Sequence, residues 1–274
     1  MVHKTTGHLG SAAVALVYLA MGLGLAGQAG GQTPPASEKA PAKEAAAPPA
    51  LAPAADGGAT SEPRTEQPDD LGPPLVDHPE QLRRLHRTQP VWIDPKEKAV
   101  VFQGRTCRAS YPLEFLVTMP GREYEAVIVS TVPPSVVHAG LMALGAKPGN
   151  PVQFVPEFRP PTGTEIEIEV RWKDAKGKVQ KASARDWVRD IKTRKALSLN
   201  WVFGGSRFAE DDGRQVYQAD FGDFISVANV PIATLDLPIR SQSDLDSRQF
   251  EGFVERMPPA GTPVTLLLKP KLPH

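Results

Sequence analysis

Cysteine is almost absent from this chain of 274 residues: Cys107 is the only one. A single thiol cannot close an intramolecular disulfide, so the fold must rest on its apolar core. Histidine is thin as well. His78, His86, His138 and His274 are the only ones beyond the first eight residues, and none pairs at the spacing used by zinc sites, so no metal is expected. Net charge is absent too, with 31 basic against 31 acidic side chains. A nucleic-acid surface, which needs clustered Lys and Arg on a basic domain, is not expected. Walker and dinucleotide glycine patterns are missing, and no repeat at a solenoid or propeller period is visible.

The segments that are present differ sharply. The first eight residues carry Lys4, His3 and His8 and no acid, and an apolar stretch runs from Leu9 to Ala26 with its strongest part at Ala12 to Met21. That is the length of a secretory signal core, and Gly27-Gln28-Ala29 supplies small residues for cleavage after Ala29. Residues 1–29 therefore read as a signal peptide. The rival is an uncleaved membrane anchor, because Leu9 to Gly31 is just long enough to span a thin bilayer. Without a nearby cysteine, lipid attachment is excluded.

Residues 30–79 read as a disordered tether. Between Thr33 and Pro79 there are 11 Pro and 11 Ala, with almost no aromatic or β-branched side chains. Such a stretch cannot bury enough apolar surface to offset its ordering entropy. It is acidic, whereas the chain from Pro79 onward has 27 basic and 23 acidic residues.

Residues 80–274 read as one globular domain, long enough to bury roughly 70% of its unfolded surface. Pro79 to His86 is at best a short helical turn. Val91 to Asp94 and Lys98 to Phe102 flank an Asp94-Pro95 turn and predict a hairpin. Leu113 to Met119 and Glu125 to Val132 are further strands, joined through Pro120-Gly121. A helix is expected from Pro134, with Val137, Leu141 and Leu144 on its apolar stripe and Gly145 as its left-handed cap. Val152 to Val155 reads as a short strand. Thr164 to Trp172 alternates Glu165, Glu167, Glu169 and Arg171 with Ile166, Ile168, Val170 and Trp172, so it has one wet and one apolar face. Lys176-Gly177 turns it into Lys178 to Lys181. A second helix is expected after Ser183, with Ala184, Trp187, Val188 and Ile191 as its stripe and Asp186 completing a capping box. Asn200 to Phe203, Gln215 to Ala219, Phe224 to Val230 and Val264 to Lys269 complete the strands, and Asp212-Gly213 is a hairpin turn. The expected class is α+β, with about ten mainly antiparallel strands and two short helices.

Candidate sites are few. Cys107 and His138 could form a nucleophile and base pair, but nothing in their spacing joins them; the bland alternatives are a partly buried thiol and a hydrogen-bonded histidine. Gly204-Gly205-Ser206, after a strand, could present amides to an anion, or be a tight turn. Glu210, Asp211, Asp212, Asp220 and Asp223 do not follow the calcium-loop pattern. Arg185, Arg189, Lys192, Arg194 and Lys195 could meet an anionic glycan, or be a solvated helix face.

The segments Tyr111-Pro112-Leu113-Glu114-Phe115, Pro120-Gly121-Arg122-Glu123-Tyr124-Glu125 and Pro134-Ser135-Val136-Val137-His138-Ala139-Gly140-Leu141 resemble the YdjY-type domain of bacteria. So do Leu144 to Gly149, Trp201 to Ser206, Asp223 to Val227 and Pro258 to Val264. The resemblance spans roughly Pro90 to Pro270, and the long Pro/Ala tether resembles that of exported planctomycete members. It implies little about activity. Some relatives carry a ferredoxin-like label, but a four-iron cluster takes four cysteine thiolates and this chain has only Cys107. No cofactor is expected. The sequence thus reads as an uncharacterised exported protein of the periplasm or cell exterior. The leading role is a non-enzymatic binding or structural module, its partner an envelope component or polysaccharide, with membrane contact only if the anchor is uncleaved. The alternative is an envelope hydrolase using the Cys107/His138 pair.

Overall fold

Asp94 begins the architecture. Its side-chain Oδ1 accepts the backbone N–H groups of Lys96 and Glu97, both at 2.9 Å, which fixes the turn after the first long strand. In the computed structural model, which describes residues 70–109, 111–241 and 247–273, that turn joins β2 (Val91–Asp94) to β3 (Ala99–Thr106). β1 (Arg83–Arg84) pairs with β2. The expected signal peptide and residues 30–69 of the tether fall outside the described residues, which lie within one unit, Ser61–His274.

The other elements are β4 (Phe115–Thr118), β5 (Ala126–Val129), α1 (Pro134–Ala143), β6 (Glu165–Lys173), β7 (Val179–Ser183), β8 (Val188–Asp190) and β9 (Trp201–Val202). They are followed by β10 (Phe208–Asp211), β11 (Arg214–Tyr217), β12 (Ile225–Ser226), β13 (Phe250–Gly252) and β14 (Pro263–Pro270). Ten strands form one sheet, with the path β12-β4-β5-β3-β14-β6-β7 and with β1, β2 and β9 attached beside it. β10 with β11 and β13 with β8 make two small ribbons. The class is α+β with mainly antiparallel pairing, as the alternation and turn residues imply.

The register of β14 between β3 and β6 sorts the side chains into two faces. Val100 and Phe102, Val264, Leu266 and Leu268, and Ile166, Ile168 and Val170 point to the inner face and join one large core. α1 seals that face. Gly140 lets it approach, since a Cβ there would lie 2.8 Å from Leu85 and 3.0 Å from Val100. The helix ends where expected: Gly145 has φ +91, its N–H donates to Met142 O, and the N–H of Ala146 donates to Leu141 O, which is a Schellman motif.

The outer face is covered differently. Residues 70–82, most of which the sequence reading placed in the tether, lie across it. Leu75 N–H donates to the Thr265 hydroxyl at 2.9 Å, and Gln103 Nε2 donates to Gly72 O at 3.1 Å. Val76 and Leu82 pack on Trp92, Ala99, Val101 and Leu267.

Two expectations need correction, and one pairing is unusual. The second helix is not formed. Ser183 is extended and paired with Glu169 in β7, its side chain caps nothing, and only a 3-10 turn over Ala184–Trp187 precedes β8. The spacing of Ala184, Trp187 and Val188 suits a helix, but Trp187 packs edge-on against Trp172 at 5.2 Å and Val188 pairs with Gly252. Tertiary partners thus override the local pattern. α1 is therefore the one α-helix among the described residues. Val152 to Val155 makes no strand; Gln153 and Arg159 only exchange backbone hydrogen bonds across a loop. Finally, the strands on either side of Pro120-Gly121 run parallel, with Phe115 opposite Ala126 and Val117 opposite Ile128. The chain returns between them over residues 119–125, far shorter than the crossover of about a dozen residues that parallel strands usually need.

Candidate functional site

The short return between β4 and β5 needs something to hold it, and Arg122 does so. Its Nε donates to Glu125 Oε1 at 2.7 Å, its Nη1 to Asp223 Oδ1 at 2.8 Å and its Nη2 to Glu114, while the guanidinium lies 4.4 Å above the Phe115 ring. Arg248 approaches Glu114 and Glu125 from the other side, at 3.0 and 2.9 Å. All three carboxylates are buried. Burial, and then the neighbouring charge of Glu125, raise the Glu114 carboxyl above its ordinary range against the pull of both arginines. Sequence reading missed this network because its members are scattered from position 114 to 248. Four of the five nevertheless lie in the segments that carry the family resemblance, and their role is to clamp the fold.

Beside that clamp lies a groove of about 390 Å³, lined by Arg105, Thr106, Cys107, Arg108, Glu123, Tyr124, Val129, Ala260 and Gly261. The end of β3 forms its floor, the 119–125 return one wall and the turn before β14 the other. Cys107 is 7% exposed and packs with Phe115 and Ala126. Burial, then the nearby Glu123 charge, pushes its thiol up to about 12, so it carries a proton at neutral pH. Tyr124 is 62% exposed at the rim. A smaller cavity of about 210 Å³ lies between residues 71–75 and the outer face of β14.

His138 stands in different surroundings. Its Nδ1 is 2.9 Å from the Tyr217 hydroxyl, which is 3.1 Å from the Thr234 hydroxyl. A hydrogen bond to the Gly205 backbone engages the ring further, and burial lowers its pKa from the ordinary value. Phe203 and Tyr217 meet the ring edge-on, with centroids at 4.8 and 5.1 Å. The structure thus brings His138 together with Gly205 and Ser206, and not with Cys107, whose apolar neighbours are Phe115, Ala126, Val129 and Val230.

Gly204-Gly205-Ser206 is a tight turn. Gly205 has φ +87 and a Cβ there would lie 2.7 Å from Pro148 Cβ, while Ser206 has φ +55. The amides of Gly204 and Gly205 donate to Val202 O and Thr234 O, so neither is open to an anion. The Ser206 hydroxyl donates to Ile232 O and accepts from Ala219 N–H. The strain at Ser206 is held by this corner, where β9, β11 and α1 converge.

The remaining candidates are dispersed. Asp212 and Gly213 form the two-residue turn of the β10–β11 hairpin, both with positive φ. Asp220 accepts from Ser135 N–H at the start of α1, and Asp223 belongs to the Arg122 clamp. Among the described residues no group of three or more His, Cys, Asp or Glu is placed to hold a metal. Of the basic set, Arg189 and Arg194 pair with Glu251, and Arg185 donates to Ser198 O.

The model of the YdjY domain matches residues 91–269. The chain belongs to the YdjY family. The match takes in both the Cys107 groove and the His138 corner, and leaves outside it the covering segment at residues 70–82. No curated protein and no solved structure matches the chain. Family membership therefore brings no assigned residue roles to the YdjY domain, and what its groove and corner do must be argued from their geometry.

Proposed function

We propose that this YdjY-domain protein is an exported, non-enzymatic binding module of the bacterial envelope, and that the groove over Cys107 receives its ligand. One observation carries the reading: the chain's only thiol is buried at the floor of an open groove against Phe115 and Ala126, and among the described residues no histidine lines that groove. A nucleophilic cysteine needs a lowered pKa and a partner within hydrogen-bond reach. The ring that could have served is engaged with Tyr217 and Gly205. What remains is a concave surface with polar and aromatic rims, which suits binding.

Export rests on the sequence: a signal core, a cleavage site after Ala29 and an acidic Pro/Ala tether that keeps the domain off the membrane. N-terminal sequencing of the secreted protein should begin at Gly30; recovery of Met1 from a membrane fraction would replace the exported form with an anchored one.

The non-enzymatic part is tested by alkylation with iodoacetamide at pH 7.5. A thiol raised this far should react at least about 100-fold more slowly than free cysteine, and His138→Gln should leave the rate unchanged. Fast labelling that slows in the His138→Gln variant would establish the hydrolase reading instead.

A further inference from the structure

The Cys107 groove has features that select among ligands. Much of the backbone along its floor is already paired. Thr106 N–H donates to Thr262 O, Cys107 N–H to Val127 O and Gly261 N–H to Thr106 O, at 3.1, 2.8 and 2.8 Å. Arg105 and Thr106 are already paired with Val129 and Ile128 of β5. A peptide that binds by adding a strand needs free backbone groups, and those of Thr106 and Gly261 are already engaged. Cys107, Val129 and Ala260 give the groove an apolar floor. The volume of about 390 Å³ falls within the ~300–1,000 Å³ of small-molecule sites.

The rim is bipolar. Arg108 is exposed, and among the described residues it makes no ion pair. On the return loop, Glu123 accepts from Gly121 N–H through Oε2, at 3.0 Å, which leaves Oε1 to accept from a ligand. Next to Glu123 on the same loop, Tyr124 presents its ring to solvent at the groove. One unpaired cation, one acceptor and one aromatic face suit a ring that carries a single carboxylate and several hydroxyls.

Resting on the reading of the chain as a binding module, we propose that the groove binds a carboxylated sugar unit of an acidic glycan. Arg108 pairs with the carboxylate, Tyr124 stacks on the C–H face of the pyranose ring, and Glu123 accepts from its hydroxyls.

The test titrates the purified full chain with trigalacturonate. Binding is read by calorimetry and, independently, by protection of Cys107 from its slow alkylation. Saturable heat with protection is expected. Arg108→Ala and Tyr124→Ala should each weaken affinity by about tenfold or more, the scale of a lost charge-assisted or stacking contact, with circular dichroism unchanged because both side chains are exposed. Neutral maltotriose should bind at least about tenfold more weakly. No heat and no protection at millimolar trigalacturonate would overturn the proposal. So would equal binding by both variants, or tighter binding of an acidic peptide or a sulfated oligosaccharide. If those failures occur while Cys107 stays slow to alkylate, the ligand class falls and the binding module stands. Fast, His138-dependent alkylation overturns both.

Discussion

The two faces of the main sheet are built on different physical terms. The inner face is dry: Phe102, Ile166, Ile168, Leu266 and Leu268 interlock beneath α1, and all are essentially inaccessible to water. The outer face mixes a small apolar cluster around Trp92, Val101 and Leu267 with a charged one. There Arg171, whose side chain is 4% exposed, donates to Glu169 and Glu97, and Lys269 reaches Glu97 as well. Over β2 and β3 the cover on one side is a helix held by apolar contact. On the other it is an irregular segment held by hydrogen bonds to Thr265, Gln103 and Arg171. A face covered by a regular element leaves a period in the sequence; a face covered by a strap does not.

The contrast predicts a hierarchy of losses. Phe102→Ala removes a ring stacked on Phe224 at 5.3 Å in the inner core. It should cost about 3–5 kcal/mol of unfolding free energy in urea. A chain beginning at Arg83, without the strap, should lose about 2 kcal/mol, since Val76 and Leu82 are only partly buried. It should also show a red-shifted Trp92 emission as that ring meets water. If strap removal proved as costly as Phe102→Ala, the two faces would be equal partners in one core and the distinction would fail.

The same difference explains what could be read in advance. The alternation of Glu165 to Trp172, the Asp212-Gly213 hairpin and the Gly145 cap each depend on neighbours within a few residues, and each was legible. The strap was not, because Leu75 and Gly72 meet partners at Thr265 and Gln103 far along the chain. β8 was missed for the same reason: three residues are too few to show a period, and its partner β13 lies some sixty residues on. At the candidate site, the turn at Gly204-Gly205-Ser206 and the hydrogen-bonded state of His138 were among the readings its residues allowed. The groove was hidden, since Arg108 and Tyr124 are ordinary surface residues until the 119–125 return brings Tyr124 to the groove that Arg108 lines beside Cys107.

The smallest expected effect separates the faces by pH. Burial alone would raise the Glu97 carboxyl, but hydrogen bonds from Lys269 and Arg171, together with the Lys269 charge, outweigh it and hold it at about 2, below the usual 4.5. A carboxyl depressed on folding contributes stability that is present above its unfolded pKa and is lost as pH falls toward its folded one. The outer face should therefore weaken between about pH 4.5 and 2. The buried Asp236, at the inner side beside Asn229, behaves in the opposite sense. Burial raises it from 3.8 to about 8 against the hydrogen bonds it accepts from Leu237, Asn229 and Val230, so the folded state holds a proton that the unfolded chain releases. Its contribution should decline as pH rises from about 4 to 8. Urea midpoints of the Glu97→Gln variant should lie below wild type at pH 7 and converge with it by pH 2 to 3, while Asp236→Asn should flatten only the limb above pH 4. Parallel pH profiles for wild type and Glu97→Gln would mean that the outer-face ion network adds nothing beyond its packing, as is common for ion pairs that keep contact with water.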